Sequence, residues 1–120
     1  MLKPIPRQIL SDTMVLHIPK GIDTDYNTQY DNLVVERVHL QDDHSILKQT
    51  DNTEVQTRGI LFIDAHLSSP RLDYIDIQEK AHKTGAGIRL TVRNRDYEVL
   101  TIDAVPDDYG QVHHYEVTVV

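Results

Sequence analysis

The chain has no cysteine and no tryptophan, one phenylalanine, and only five glycines and five prolines in 120 residues. Without cysteine there is no disulfide scaffold, no thiolate–zinc site and no thiol redox chemistry. No apolar run approaches the ~20 residues that cross a bilayer. The opening Met1-Leu2-Lys3-Pro4-Ile5-Pro6-Arg7 is too short in its apolar part and too proline-rich for a signal peptide, so a cytoplasmic site of synthesis and assembly is expected. Neither a Gly-x-Ser-x-Gly elbow nor a Gly-x-x-x-x-Gly-Lys-[Ser/Thr] phosphate loop occurs.

What is present is a 39% hydrophobic composition dominated by Val, Ile and Leu, which suits pleated, half-buried strands. The length fits one domain, residues 1–120, large enough for a core without staples. Twelve Lys+Arg against nineteen Asp+Glu give a net charge of −7, contrary to a free-standing duplex-DNA binder. The excess is spread evenly over both halves, but Lys80 to Arg95 holds five basic residues and no acidic one.

Leu2–Ser11 reads as an extended lead-in, because Pro4 and Pro6 disfavour helix. Strands follow at Thr13–Ile18 (Met14, Leu16 and Ile18 on one face) and at Leu33–Leu40, where alternation is imperfect. Between them Gly21–Asn32 reads as a polar loop. Gln41–Arg58 reads as a second, interrupted by a short strand at Ser45–Gln49. Gly59–Ala65 is the most apolar run and implies a central strand buried on both faces. At Tyr74–Thr84 the period changes to that of a helix. Asp73 is the N-cap, Gly85 the C′ residue, and Tyr74, Ile77 and Ala81 share a face. Three strands close the chain: Ile88–Val92, Tyr97–Val105 and Val112–Val120. Arg93-Asn94-Arg95-Asp96 and Pro106–Gly110 are the breaks between them. The sum is a mainly β protein: a small antiparallel barrel of about six strands, one short helix and two long polar loops.

Few constellations carry chemistry. His113 and His114 are neighbours on a strand, so their side chains should point to opposite faces and not chelate together. Asp64 and His66 share a face if that strand continues, and Asp42, Asp43 and His44 share a loop. None has the ligand spacing of a zinc or calcium site. Glu98, Asp103 and Glu116 could approach one another across the closing strands, but on a solvated face carboxylates are ordinary. No enzyme activity, metal or cofactor is expected. Arg89, Thr91 and Arg93 form a basic stripe on one strand face, extended by Arg95, with Lys80 and Lys83 nearby. Aromatics for base stacking are missing there. The stripe therefore suits an acidic protein surface such as the chain's own Asp42, Asp43, Asp103, Asp107 and Asp108. Complementary patches of this kind make heterologous contacts that close into rings. Charge reversal at Arg89 and Arg93 should then weaken assembly and leave folding intact.

Leu61-Phe62-Ile63-Asp64, the Ser69-Pro70 break, Ile88-Arg89-Leu90-Thr91-Val92, Asp96-Tyr97-Glu98-Val99 and His113-His114-Tyr115-Glu116-Val117 carry a resemblance over Gly59–Val120. Over this half the chain resembles the minor capsid proteins of tailed bacteriophages and prophages, a family of small head–tail connector (head-completion) proteins. The resemblance implies a structural virion protein, not an enzyme. As a ring subunit assembled in the host bacterial cytoplasm, it would join the portal to the tail, with channel closure as a further role. The implied partners are the portal or adaptor ring, tail-side connector proteins and further copies of the chain, monomeric in isolation. Neither sequence-specific nucleic acid nor a membrane is among them. Loop residues Asp23, Asp25, Tyr26 and Tyr30 are the candidates for contact with the portal or the lumen. The alternative is a β-barrel module that binds a small ligand or an oligonucleotide.

Overall fold

The computed structural model describes residues 8–48 and 50–120. Residues 2–7 of the lead-in and Gln49 of the short strand lie outside the described residues. The elements are β1 (Asp12–Ile22), β2 (Thr28–Asp42), β3 (Ile46–Lys48), β4 (Glu54–Gln56), β5 (Gly59–Asp64), α1 (Tyr74–Thr84), β6 (Arg89–Val92), β7 (Arg95–Pro106) and β8 (Val112–Val119). The protein is mainly β, as its composition implied. Six strands form one antiparallel sheet in the order β1-β2-β5-β8-β7-β6, and β6 pairs in turn with β1. No strand of this sheet therefore lacks a neighbour on either side, which removes open edges. β3 and β4 form a separate two-stranded hairpin.

Alternation decides which side chains meet inside. Met14 and Leu16 of β1, Leu61 and Ile63 of β5, Leu90 and Val92 of β6, and Tyr115, Val117 and Val119 of β8 are all buried in one cluster. Gly59 brings β2 and β5 together: a Cβ there would stand 2.9 Å from Leu40 Cδ1 and 3.0 Å from the Gln41 carbonyl oxygen. β5 is central, between β2 and β8, but it is not buried on both faces. Ile60 and Phe62 point outward and are half-buried.

The imperfect alternation of β2 has a local cause. Arg37 has φ 61°, and the pairing slips between Asp12↔Val38 and Thr13↔Glu36, so Arg37 is an extra bulged residue. It lets Val35, Val38 and Leu40 all face inward despite the odd spacing of the first two. Ser68 on the far side of the β5 turn donates its hydroxyl proton to the Arg37 carbonyl.

The helix matches the sequence reading. The Asp73 carboxylate accepts from the Asp76 N–H, and Gly85 ends the helix at φ 79°. Tyr74 and Ala81 are its buried side chains, and α1 packs against β1 and β7. β6, the strand between those two, is only four residues long, so the helix covers the part that β6 leaves open. The Tyr74 ring packs against Tyr115 of β8, centroids 5.0 Å apart and planes tilted by 58°.

Of the two long polar loops the first is not a loop, and the second carries the short strand expected at Ser45–Gln49, found as β3 at Ile46–Lys48. Gly21–Asn32 is the end of a hairpin: β1 and β2 stay paired to Ile22↔Thr28, leaving only residues 23–27 as the turn. Gly21, Asp31 and Asn32 belong to strands despite their turn propensity, because a partner strand supplies their backbone hydrogen bonds. Within Gln41–Arg58, Gln41 and Asp42 complete β2 and the remainder is organised around the β3–β4 hairpin. The break after β6 is likewise shorter than expected. Arg93 (φ 52°) and Asn94 (φ 59°) make a two-residue turn of the mirror-image type, and Arg95 and Asp96 already belong to β7.

Candidate interaction site

The basic stripe is largely neutralised within the chain. Arg89 Nη2 donates to Glu98 Oε1 at 2.8 Å, and Lys80 lies 3.0 Å from Asp76. Arg93 is not on the strand face at all. From the β6–β7 turn it reaches back to β1, donating through Nε to Asp12 Oδ1 at 3.0 Å and through Nη2 to Asp12 Oδ2 at 2.8 Å. A third bond goes to the Leu40 carbonyl at 3.0 Å. Asp12 also accepts from the Leu40 N–H, and its side chain is only 12% exposed. Burial raises the Asp12 pKa, but the Arg93 and Leu40 hydrogen bonds, with the charges of Arg93 and His39, together outweigh it and hold the pKa low. The expectation that charge reversal at Arg93 spares the fold is therefore corrected. Arg95 and Lys83 remain exposed.

The acidic residues do not form one surface. β1, β5 and β7 run one way and β2, β6 and β8 the other, which places the β1–β2 and β7–β8 turns at one end of the sheet. Asp42 and Asp43, at the close of β2, lie at the opposite end from Asp107 and Asp108. Asp103 stands opposite Glu116 on the outer face, while Glu98 is paired with Arg89. The carboxylate group considered from sequence is thus divided. Asp64 has a structural task too: β5 ends there, and its Oδ1 accepts from the N–H groups of His66 and Leu67.

His113 and His114 also depart from expectation. Pairing shifts from Val105↔His114 to Pro106↔Val112, so one β8 residue, His113, is extra. A bulge turns neighbouring side chains toward each other. Their Nδ1 atoms lie 2.7 Å apart. Phe62 lies between His114 (6.1 Å) and His39 (6.3 Å) on the outer face. Among the described residues no group of three or more potential metal ligands converges.

An open groove of about 660 Å³ runs along β1, β6 and β7. In it His17 Nε2 sits 3.0 Å from Thr91 Oγ1, whose hydroxyl donates to Asp96 Oδ1 at 2.6 Å. His17 Nδ1 lies 2.6 Å from Asn32 Oδ1. The Arg58 guanidinium rests 4.5 Å over the Tyr97 ring. Sequence reasoning passed over Arg58 because the partner ring lies 39 positions away. Tyr30 lines this groove from β2 and is not at the hairpin tip.

The most distinctive surface features are the two turns at the shared end. In one, Asp23 Oδ1 accepts from the N–H groups of Asp25 and Asn27, both at 2.9 Å. The Asp23 N–H donates to the Asn27 carbonyl and the Tyr26 N–H to the Asp23 carbonyl. In the other, Asp107 Oδ1 accepts from the N–H groups of Tyr109 (2.8 Å) and Gln111 (3.0 Å). Its backbone bonds repeat the scheme, Asp107 N–H to the Gln111 carbonyl and Gly110 N–H to the Asp107 carbonyl. Each turn displays a tyrosine, Tyr26 at 89% and Tyr109 at 80% exposure. Scans against protein-family models, curated proteins and solved structures find no match to this chain.

Proposed function

We propose that this protein is a structural subunit of a tailed-phage or prophage head–tail connector, a ring-forming component between portal and tail. In this reading the six-stranded sheet is a closed, chemically inert barrel, and its hairpins are the parts that neighbours grip. The observation that carries the proposal is the placing of large apolar side chains on projecting segments. Ile22 and Tyr26 stand at the β1–β2 end, and Ile46 and Leu47 lie on the β3–β4 hairpin, all exposed, while Val34 within β2 and Ile9 ahead of β1 are exposed outside these segments. Exposed apolar groups gathered on projections are the mark of surfaces that become buried in an assembly. The resemblance over Gly59–Val120 points to the same assembly.

The test is electron microscopy of the purified protein mixed with the portal complex encoded in the same phage or prophage genome. Added density in a ring beneath the portal is the expected result, and an unchanged portal particle refutes the proposal. One observation favours a second reading, a module for a small ligand or oligonucleotide: the Arg58 guanidinium laid over Tyr97 in the 660 Å³ groove. Fluorescence anisotropy with single-stranded DNA at low salt separates the two, since sub-micromolar affinity abolished by Arg58→Ala favours the module.

A further inference from the structure

The two turns at the shared end have the same hydrogen-bond scheme, yet their sequences, Asp23-Thr24-Asp25-Tyr26-Asn27 and Asp107-Asp108-Tyr109-Gly110-Gln111, are different. Both place an almost fully exposed tyrosine beside acidic residues. Neither turn contains a lysine or arginine, and the cation nearest to the first in sequence, Lys20, is paired with Asp31 at 3.3 Å. We propose that these two tips form one bipartite docking end for the arginine and lysine side chains of a basic protein surface. Tyr26 and Tyr109 supply ring faces for the cations, and Asp25 supplies a carboxylate.

The chemistry selects this occupant over others. A ring face attracts a cation through its quadrupole, and a neighbouring carboxylate reinforces the attraction. Phosphates of nucleic acid or of an anionic membrane would meet Asp25, Asp108 and a chain of net charge −7, and be repelled. Tyrosine is also the side chain that gives large contact area for few lost rotamers, which is why interface hot spots are rich in it. Two tips on one end engage a single partner together, and each then raises the effective concentration of the other. This proposal rests on the connector reading for the identity of the partner, but the recognition chemistry can be tested without it.

The experiment is an NMR titration of the ¹⁵N-labelled protein with a synthetic peptide of alternating arginine and glycine. It is run on wild type and on the Tyr26→Ala/Tyr109→Ala variant, which should keep its thermal midpoint because both rings are exposed. The expected result is shifts centred on residues 24–27 and 108–111, with affinity about tenfold weaker in the variant. Shifts centred on Asp42 and Asp43, or equal affinity in the two proteins, overturn the proposal. Binding of single-stranded DNA or phosphatidylglycerol vesicles at the tips overturns it as well. The portal mixture distinguishes the two levels. If the variant still adds a ring to the portal, the docking end is refuted and the connector reading stands. If wild type adds none while the peptide binds through the tyrosines, the connector reading fails and the docking chemistry stands.

Discussion

Replacing Arg93 by alanine tests the structure where it departs most from the sequence reading. Arg93 ties the β6–β7 turn to β1 and β2 through two bonds to Asp12 and one to the Leu40 carbonyl. Breaking a buried ion pair by removing one partner costs roughly 3–5 kcal/mol, because the other charge stays desolvated. Here the Arg93 side chain is 45% exposed, so water screens part of the interaction, and Asp12 keeps its bond from the Leu40 N–H. Alanine carries the same left-handed backbone strain as arginine at φ 52°, so that cost cancels. A loss of about 2 kcal/mol at pH 7 follows, or about 6–10 °C in Tm for a domain of this size. The pH dependence has a fixed sign. The Asp12 pKa is lower in the folded chain than its ordinary value of 3.8. Its stabilising contribution is therefore complete above that value and disappears as pH falls through the folded pKa. Urea denaturation at pH 7 and at pH 2.5 should show the gap between wild type and Arg93→Ala shrinking in acid. A gap below ~0.5 kcal/mol at pH 7, or one of equal size at both pH values, refutes the ion-pair account.

Three further substitutions probe the frame around the candidate surfaces. Gly59→Ala pushes a Cβ against Leu40 Cδ1 and the Gln41 carbonyl, and calorimetry should record a loss of about 1–3 kcal/mol. Tyr74→Phe removes a buried hydroxyl that has no hydrogen-bond partner, so denaturation curves should show no loss or a gain of about 1 kcal/mol. A clear loss would mean that the hydroxyl is satisfied by water. Asp73→Ala deletes the cap of α1 and should cost about 1 kcal/mol, with the amides of residues 74–77 showing the greatest rise in hydrogen exchange.

The parts legible in the sequence are those governed by near-neighbour rules. Asp73, Gly85 and the spacing of Tyr74, Ile77 and Ala81 sufficed to bound the helix, because caps and helical period are local. The buried faces of β6 and β8 followed from strict alternation. The polar segment Gly21–Asn32 has the composition of a turn, whereas its pairing is set by the partner strand. A hairpin whose two faces are both wet has no apolar period, yet its backbone bonds are satisfied by the partner strand all the same. Arg93 departs from its pattern for another reason. Its alternation with Arg89 and Thr91 looked like a strand, whereas two consecutive residues at positive φ ended β6 and sent the side chain to Asp12, 81 positions away.

The imperfect alternation of β2 and the misread pair His113 and His114 share one physical origin, the inserted residue. In a regular strand two inward residues are separated by an even number of positions, so an odd separation between buried side chains requires a bulge. Val35 and Val38 are three apart with Arg37 inserted, and Tyr97 and Ile102 are five apart with a register shift between Val99 and Thr101. Both signals were available as failures of alternation within an apolar run. The bulge in β8 left no such trace, because His113 falls before the first buried residue of that strand, Tyr115. Its effect is nonetheless the largest for surface chemistry, bringing two imidazoles that alternation would separate into contact at 2.7 Å. The surface most altered by bulges is therefore the one least readable from pattern. The docking tips escape this difficulty only because each is built by a single aspartate acting on backbone within four residues of itself.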